Sequence, residues 1–164
     1  MKFFSTFSLL LSLFLFTGCN STPKDFKLAF TMESRNVYKS TIEINNDSSF
    51  HIQQENLYFD AQVKKQQINS SEGKLSDKEF NDLTRLVSRC RFFELKNTYG
   101  FNKSDTTNNN PFIGLLYHLK YSEENKAKSM LLRPDPSDKI PENVSRLIKF
   151  LNDFSSDHLK KAPN

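Results

Sequence analysis

Apolar and polar residues alternate at period two from residue 26 to residue 33. Phe26, Leu28, Phe30 and Met32 fall on one side, and Lys27, Ala29, Thr31 and Glu33 on the other. That is the pattern of a strand with one buried face. Residues 38–45 repeat it with Ile42 and Ile44 set against Thr41 and Glu43, and residues 49–54 do so with Phe50 and Ile52. Between them Asn45-Asn46-Asp47-Ser48 is turn chemistry, because Asn and Asp tolerate left-handed backbone and bond their own main chain. Residues 38–54 therefore read as a hairpin. A fourth strand is assigned to residues 59–68, where polar residues are more frequent.

At Ser76 the period changes. Ser76-Asp77-Lys78-Glu79 has the form of a capping box, in which the Ser side chain and a Glu three residues on satisfy each other's amides. Behind it Phe80, Leu83, Thr84, Val87 and Cys90 recur at helical spacing, predicting an amphipathic helix to about Arg91. Phe92-Phe93-Glu94-Leu95 follows as a packing exit. Residues 96–110 form a polar loop, long for a connection inside one domain. Alternation returns over residues 111–122, with Ile113, Leu115, Tyr117, Leu119 and Tyr121 on one face. It continues over residues 126–132 with Met130 and Leu132 inward. Arg133-Pro134-Asp135-Pro136 stops that strand, since proline cannot donate to a ladder. Pro141 suits the first turn of a last helix with the stripe Val144, Leu147, Ile148, Leu151 and Phe154. The order β-β-β-β-α-β-β-α predicts an α+β fold of two layers: a mainly antiparallel sheet of about six strands with two amphipathic helices on one face.

The start of the chain has a different pattern. Lys2 precedes an almost wholly apolar run, residues 3–16. It is too short for a bilayer-spanning helix, which needs ~20 residues, and of the length expected for the apolar region of a secretory signal. It leads into Phe16-Thr17-Gly18-Cys19, a tetrad that resembles the bacterial lipobox. The resemblance implies cleavage between Gly18 and Cys19, attachment of diacylglycerol to the Cys19 thiol and acylation of the new amino group with a fatty acid such as palmitate. Only a thiolate is both soft and nucleophilic enough for the thioether. In lipoproteins Asn20 after the cysteine implies sorting to the outer membrane where the cell has two membranes; otherwise the outer face of the plasma membrane is implied. The expected organisation is a cleaved signal at 1–18, a lipidated tether at 19–25, one domain at 26–159 and a frayed tail at 160–164.

Residues 1–18 carry a single charge, Lys2, so their removal takes the formal net charge from +4 to +3. Charges of both signs alternate without long blocks, which is ordinary solubility and no footprint for nucleic acid. With Cys19 lipidated, Cys90 has no cysteine partner and the domain is expected to fold without a disulfide. Catalytic signatures are missing from the sequence: it contains no G-x-S-x-G, P-loop, H-E-x-x-H, C-x-x-C or EF-hand pattern. No catalytic residue, cofactor or metal is therefore assigned. His51 and His118 fall on polar faces of strands, where they read as solvated residues. Cys90 lies on an apolar stripe and reads as an inert small hydrophobe. Lys78, Arg85 and Arg89 make a basic stripe on the first helix, read as a solvated face. The contact candidate is the 96–110 loop, which sets Tyr99, Phe101, Lys103 and Asp105 among Asn, Ser and Thr, a composition suited to recognition.

The run Leu75-Ser76, Phe80, Leu83, Leu86-Val87 and Phe92-Phe93-Glu94-Leu95 resembles a pattern in small envelope lipoproteins. It is also similar to the emfourin type of metalloprotease inhibitor. There a helix ending in Phe-Phe-x-Leu is followed by two strands and a short helix, here over about residues 75–151. The expected function is a non-catalytic, membrane-anchored binding or accessory module, a monomer whose partners are the membrane, through Cys19, and an envelope protein or protease. The alternatives are emfourin-like inhibition and an enzyme whose site the sequence does not display.

Overall fold

The computed structural model describes residues 25–34, 37–56, 68–101, 114–134 and 139–161. One sheet runs through it. Its strands are β1 (Phe26–Ser34), β2 (Tyr38–Asn45), β3 (Ser49–Asn56), β4 (Ile68–Lys74), β5 (Thr98–Tyr99), β6 (Leu115–Glu123) and β7 (Lys126–Leu132), in the spatial order β4-β3-β2-β1-β6-β7-β5. Every pairing is antiparallel except that of β5 with β7. Two helices, α1 (Asp77–Cys90) and α2 (Glu142–Lys161), complete an α+β fold.

Register explains the core. Phe30 pairs with Ile42 and Leu119, Ile42 with Ile52, and Leu119 with Met130, so five buried side chains form one row across five strands. The neighbouring row holds Phe50, Ile44, Leu28 and Tyr121. Both helices lie over this face. Phe80 of α1 stacks on Phe26 at 6.1 Å between ring centroids, and Phe154 of α2 meets Phe50 edge-on at 5.0 Å. No described helix is long and apolar enough to cross a membrane.

Two expectations are corrected, and a third, the strand at 59–68, falls almost wholly on residues outside those described. The sheet has seven strands where about six were expected, because β5 is only two residues long and too short to show periodicity. It lies inside what the composition presented as a loop. The fourth strand occupies Ile68–Lys74, and residues 59–67 lie outside the described residues. As an edge strand it is mostly exposed, so burial imposes almost no alternation on INSSEGK. Its inward Gly73 leaves room for the Phe50 ring, which a Cβ would meet at 3.2 Å. The last helix, finally, extends through Lys161, so residues 160 and 161 belong to it and not to a frayed tail.

The capping box forms as its residues predict. The Glu79 amide donates to Ser76 Oγ at 3.3 Å, and the Ser76 amide donates to Glu79 Oε2 at 2.8 Å. Arg91, in left-handed backbone at φ 46, caps the other end. Glu79 Oε1 also lies 3.4 Å from His158 Nε2 on α2, so one carboxylate starts α1 and holds α2. The Ser76 hydrogen bonds and the His158 contact hold the Glu79 carboxyl below its ordinary 4.5. A depressed carboxylate contributes stability above its unfolded value, and that contribution is lost as the pH falls through the folded value. Urea midpoints measured from neutral pH downwards are expected to drop less steeply below pH 4.5 in Glu79→Gln than in the wild type. Parallel acid limbs would remove Glu79 from this role.

Candidate functional site

On the β2–β4 side the inner face of the sheet is apolar only as far as Phe30 and its row, whereas on the other side Met32 is followed by Tyr117 and the buried Leu132. One step further along β1 the row reads Met32, Ser40, Gln54 and Asn69, in register on β1, β2, β3 and β4. The facing helix changes character at the same level. Beyond Leu151 and Phe154, α2 presents Asn152, Ser155, Ser156 and Leu159. Strand row and helix end line a half-open cavity of about 360 Å³, with the exposed Asn69, Ser156 and Lys160 at its mouth. Ser40 and Ser155 are only 5% and 7% exposed, so these hydroxyls belong to the interior. Asn152 Oδ1 is buried with no hydrogen-bond partner, which costs about 1–3 kcal/mol for such a group.

The chemistry of this lining is uniform. Gln54, Asn69 and Asn152 each offer a carbonyl oxygen and an NH₂, and the serines each donate and accept. Met32 and Leu159 supply apolar surface. Among the described residues of the lining, Lys160 alone is ionisable. Such a set recognises by hydrogen bonding and shape.

A second depression, also of about 360 Å³, lies on the opposite, open face of the sheet. Ala29, Ser122, Ala127 and Ser129 form its floor, and Lys27 and Lys120 its sides. It arises where short side chains sit beside long ones on paired strands. His118 borders it, with Nε2 2.9 Å from Ser129 Oγ. Partial burial, and then the charge of Lys120, lower the His118 pKa, which favours the neutral ring. Its Lys27 and Lys120 are exposed, and its buried atoms carry no unmet polar group. The inner cavity is the stronger site.

The residues singled out from sequence are dispersed. Tyr99 is 5% exposed on β5, and its hydroxyl accepts from the Lys96 amide at 3.2 Å, so it is a core residue and not a contact aromatic. Gly100 makes this turn inward possible: at φ +76 it lies so close to the Arg133 carbonyl that a Cβ would stand 2.2 Å from the oxygen. Phe101 is half-buried, with the Arg133 guanidinium 4.7 Å above its ring. Lys103 and Asp105 lie outside the described residues, as do Gly18 and Cys19. His51 and His118 share a face but belong to β3 and β6, with β2 and β1 between them, about 14 Å apart at the spacing of paired strands. No three His, Cys, Asp or Glu among the described residues are placed to hold a metal ion. Lys78, Arg85 and Arg89 are exposed, and Arg85 pairs with Asp82 at 2.8 Å.

The cavity residues escaped the sequence reading, yet two of them had a signal. Ser40 is in phase with Ile42 and Ile44, and Gln54 with Phe50 and Ile52; each is a polar residue at an inward position. No protein-family model matches the chain, and no curated protein matches it.

Two outcomes are expected. Burial pushes the Cys90 thiol up to about 12, so in the Cys19→Ser chain, where it is the only thiol, Ellman's reagent at mildly alkaline pH is expected to report none until urea is added. Immediate colour would place Cys90 at the surface. Asn152→Leu removes the unmet oxygen and keeps the branched shape of the side chain, its larger methyl groups filling space beside the cavity, and is expected to raise the unfolding free energy by about 1 kcal/mol. A loss of that size in urea titration would show that the amide is structurally paired.

Proposed function

We propose that this chain is a lipid-anchored lipoprotein of the bacterial envelope whose domain serves as a non-catalytic binding module. The lipobox-like Phe16-Thr17-Gly18-Cys19 supports the anchor. The observation that carries the binding role is the cavity beneath the end of α2, where a polar row replaces apolar core on both walls. Interiors built only for stability exclude unmet polar atoms, and here Asn152 Oδ1 is kept.

The direction of β1 supports the same reading. The strand starts at Phe26, seven positions after Cys19, and reaches the cavity at Met32. At about 3.3 Å per residue that sets the cavity roughly 20 Å along β1 from its tethered end. A module held at the membrane by its first strand would thus offer its cavity at the far end, clear of the headgroups.

Inhibition of a metalloprotease is the competing reading. The order of α1, the β6–β7 hairpin and α2 favours it, since it follows the emfourin arrangement. Cells fed labelled palmitate are expected to label the wild type and not Cys19→Ser, with the wild type alone retained in the membrane fraction. Equal labelling would sink the anchor. A stoichiometric complex of the purified protein with a metalloprotease, with proteolysis lost, would replace the module by an inhibitor.

A further inference from the structure

We infer that the cavity beneath the end of α2 binds a neutral, hydroxyl-rich ligand of one or two sugar rings. This rests on the binding-module reading and names its ligand class. The described residues of the lining offer primary carboxamides and hydroxyls, groups that both donate and accept, without a carboxylate or guanidinium among them. A vicinal diol has the same double character: a carboxamide can accept from one hydroxyl and donate to the next, closing a two-bond ring. Met32 and Leu159 give the apolar surface on which the C–H face of a sugar ring can rest.

Lys160 in the lining disfavours a cationic ligand, and the phosphate arm of the test separates an anion held by Lys160 from a saccharide held by the amides. An extended peptide would pair with a free strand edge, whereas these side chains stand on the inner face of the sheet under a helix. A volume of about 360 Å³ is at the small end for ligand sites, roughly 300–1,000 Å³, which suits one or two rings.

The test uses the full lipidated chain in a detergent without sugar headgroups, with ¹⁵N-labelled Asn and Gln side chains. Glucose, N-acetylglucosamine, maltose and diacetylchitobiose are titrated separately, with N-acetylglycinamide and inorganic phosphate as alternative chemistries. The expected result is saturable movement of the Gln54, Asn69 and Asn152 NH₂ signals by at least one saccharide. Affinity is expected to fall tenfold or more in Asn152→Leu and Gln54→Leu, and to stay unchanged in Ser129→Ala on the opposite face. Retained backbone spectra separate lost binding from lost folding. Movement with N-acetylglycinamide or phosphate alone would overturn the saccharide while leaving a binding module in place. If no probe moves these signals, both fall, and saccharide binding undiminished in both leucine variants would place the site elsewhere.

Discussion

Everything in this domain hangs on β1. It lies at the middle of the sheet, pairs with β2 on one side and β6 on the other, and contributes Phe26, Leu28 and Phe30 to the core. The β1–β2 ladder is local in sequence. The β1–β6 ladder joins residues some 90 apart, Phe30 to Leu119 among them, and is the contact that unites the four strands β1–β4 with β6, β7 and β5 in one sheet. Its loop-closure cost is met before the row of buried side chains gives any return. Cys90 is free and buried, so burial of this face, at about 1.5–3 kcal/mol for a large apolar side chain, must hold the halves together.

The legible and illegible parts of the sequence divide by what each element buries. Strands β1, β2, β3, β6 and β7 pair a buried face with a more exposed one, and that asymmetry writes period two into the chain. α1 and α2 write their stripes for the same reason, and Ser76 with Glu79 marks where α1 starts. β4 is held mainly by its main-chain ladder to β3, from Ser49 opposite Lys74 to Glu55 opposite Ile68, and needs no apolar side chains to do it. β5 is likewise held by main-chain bonds, the Leu131 amide to the Asn97 carbonyl at 2.8 Å and the Arg133 amide to the Tyr99 carbonyl at 2.9 Å. Main-chain bonding leaves no trace in residue type, so periodicity misses both.

The site divides in the same way. Ser40 and Gln54 stand at inward phases that alternation identifies, and a polar residue there is the visible sign of a cavity. Asn69 belongs to β4 and becomes legible only once the edge strand is placed. Asn152 and Ser155 require the level at which α2 crosses the sheet, which depends on contacts far apart in sequence. Within the 96–110 loop, Tyr99 departs from expectation for the opposite reason. The loop's composition suggested exposure, but composition does not tell which way Tyr99 points, and the Gly100 backbone together with the Arg133 carbonyl turns it inward.

What makes a polar cavity tolerable at the end of an otherwise apolar layer is the way α2 is fixed at its edge. Phe154 and His158 pack on Phe50, with His158 ring centroids 4.7 Å from Phe50 and 4.2 Å from Phe154. Glu79 reaches His158 from the first turn of α1. These contacts sit where α2 passes from an apolar to a polar face. They hold the helix over the sheet at a level that Asn152, Ser155 and Ser156 could not hold themselves, since hydrogen-bonding groups facing a cavity contribute little net attraction. The walls are thus set by core packing, and a ligand of the class proposed would meet them already ordered. Polar lining and apolar packing share the same turns of one helix, and the aromatic clasp holds both over the sheet.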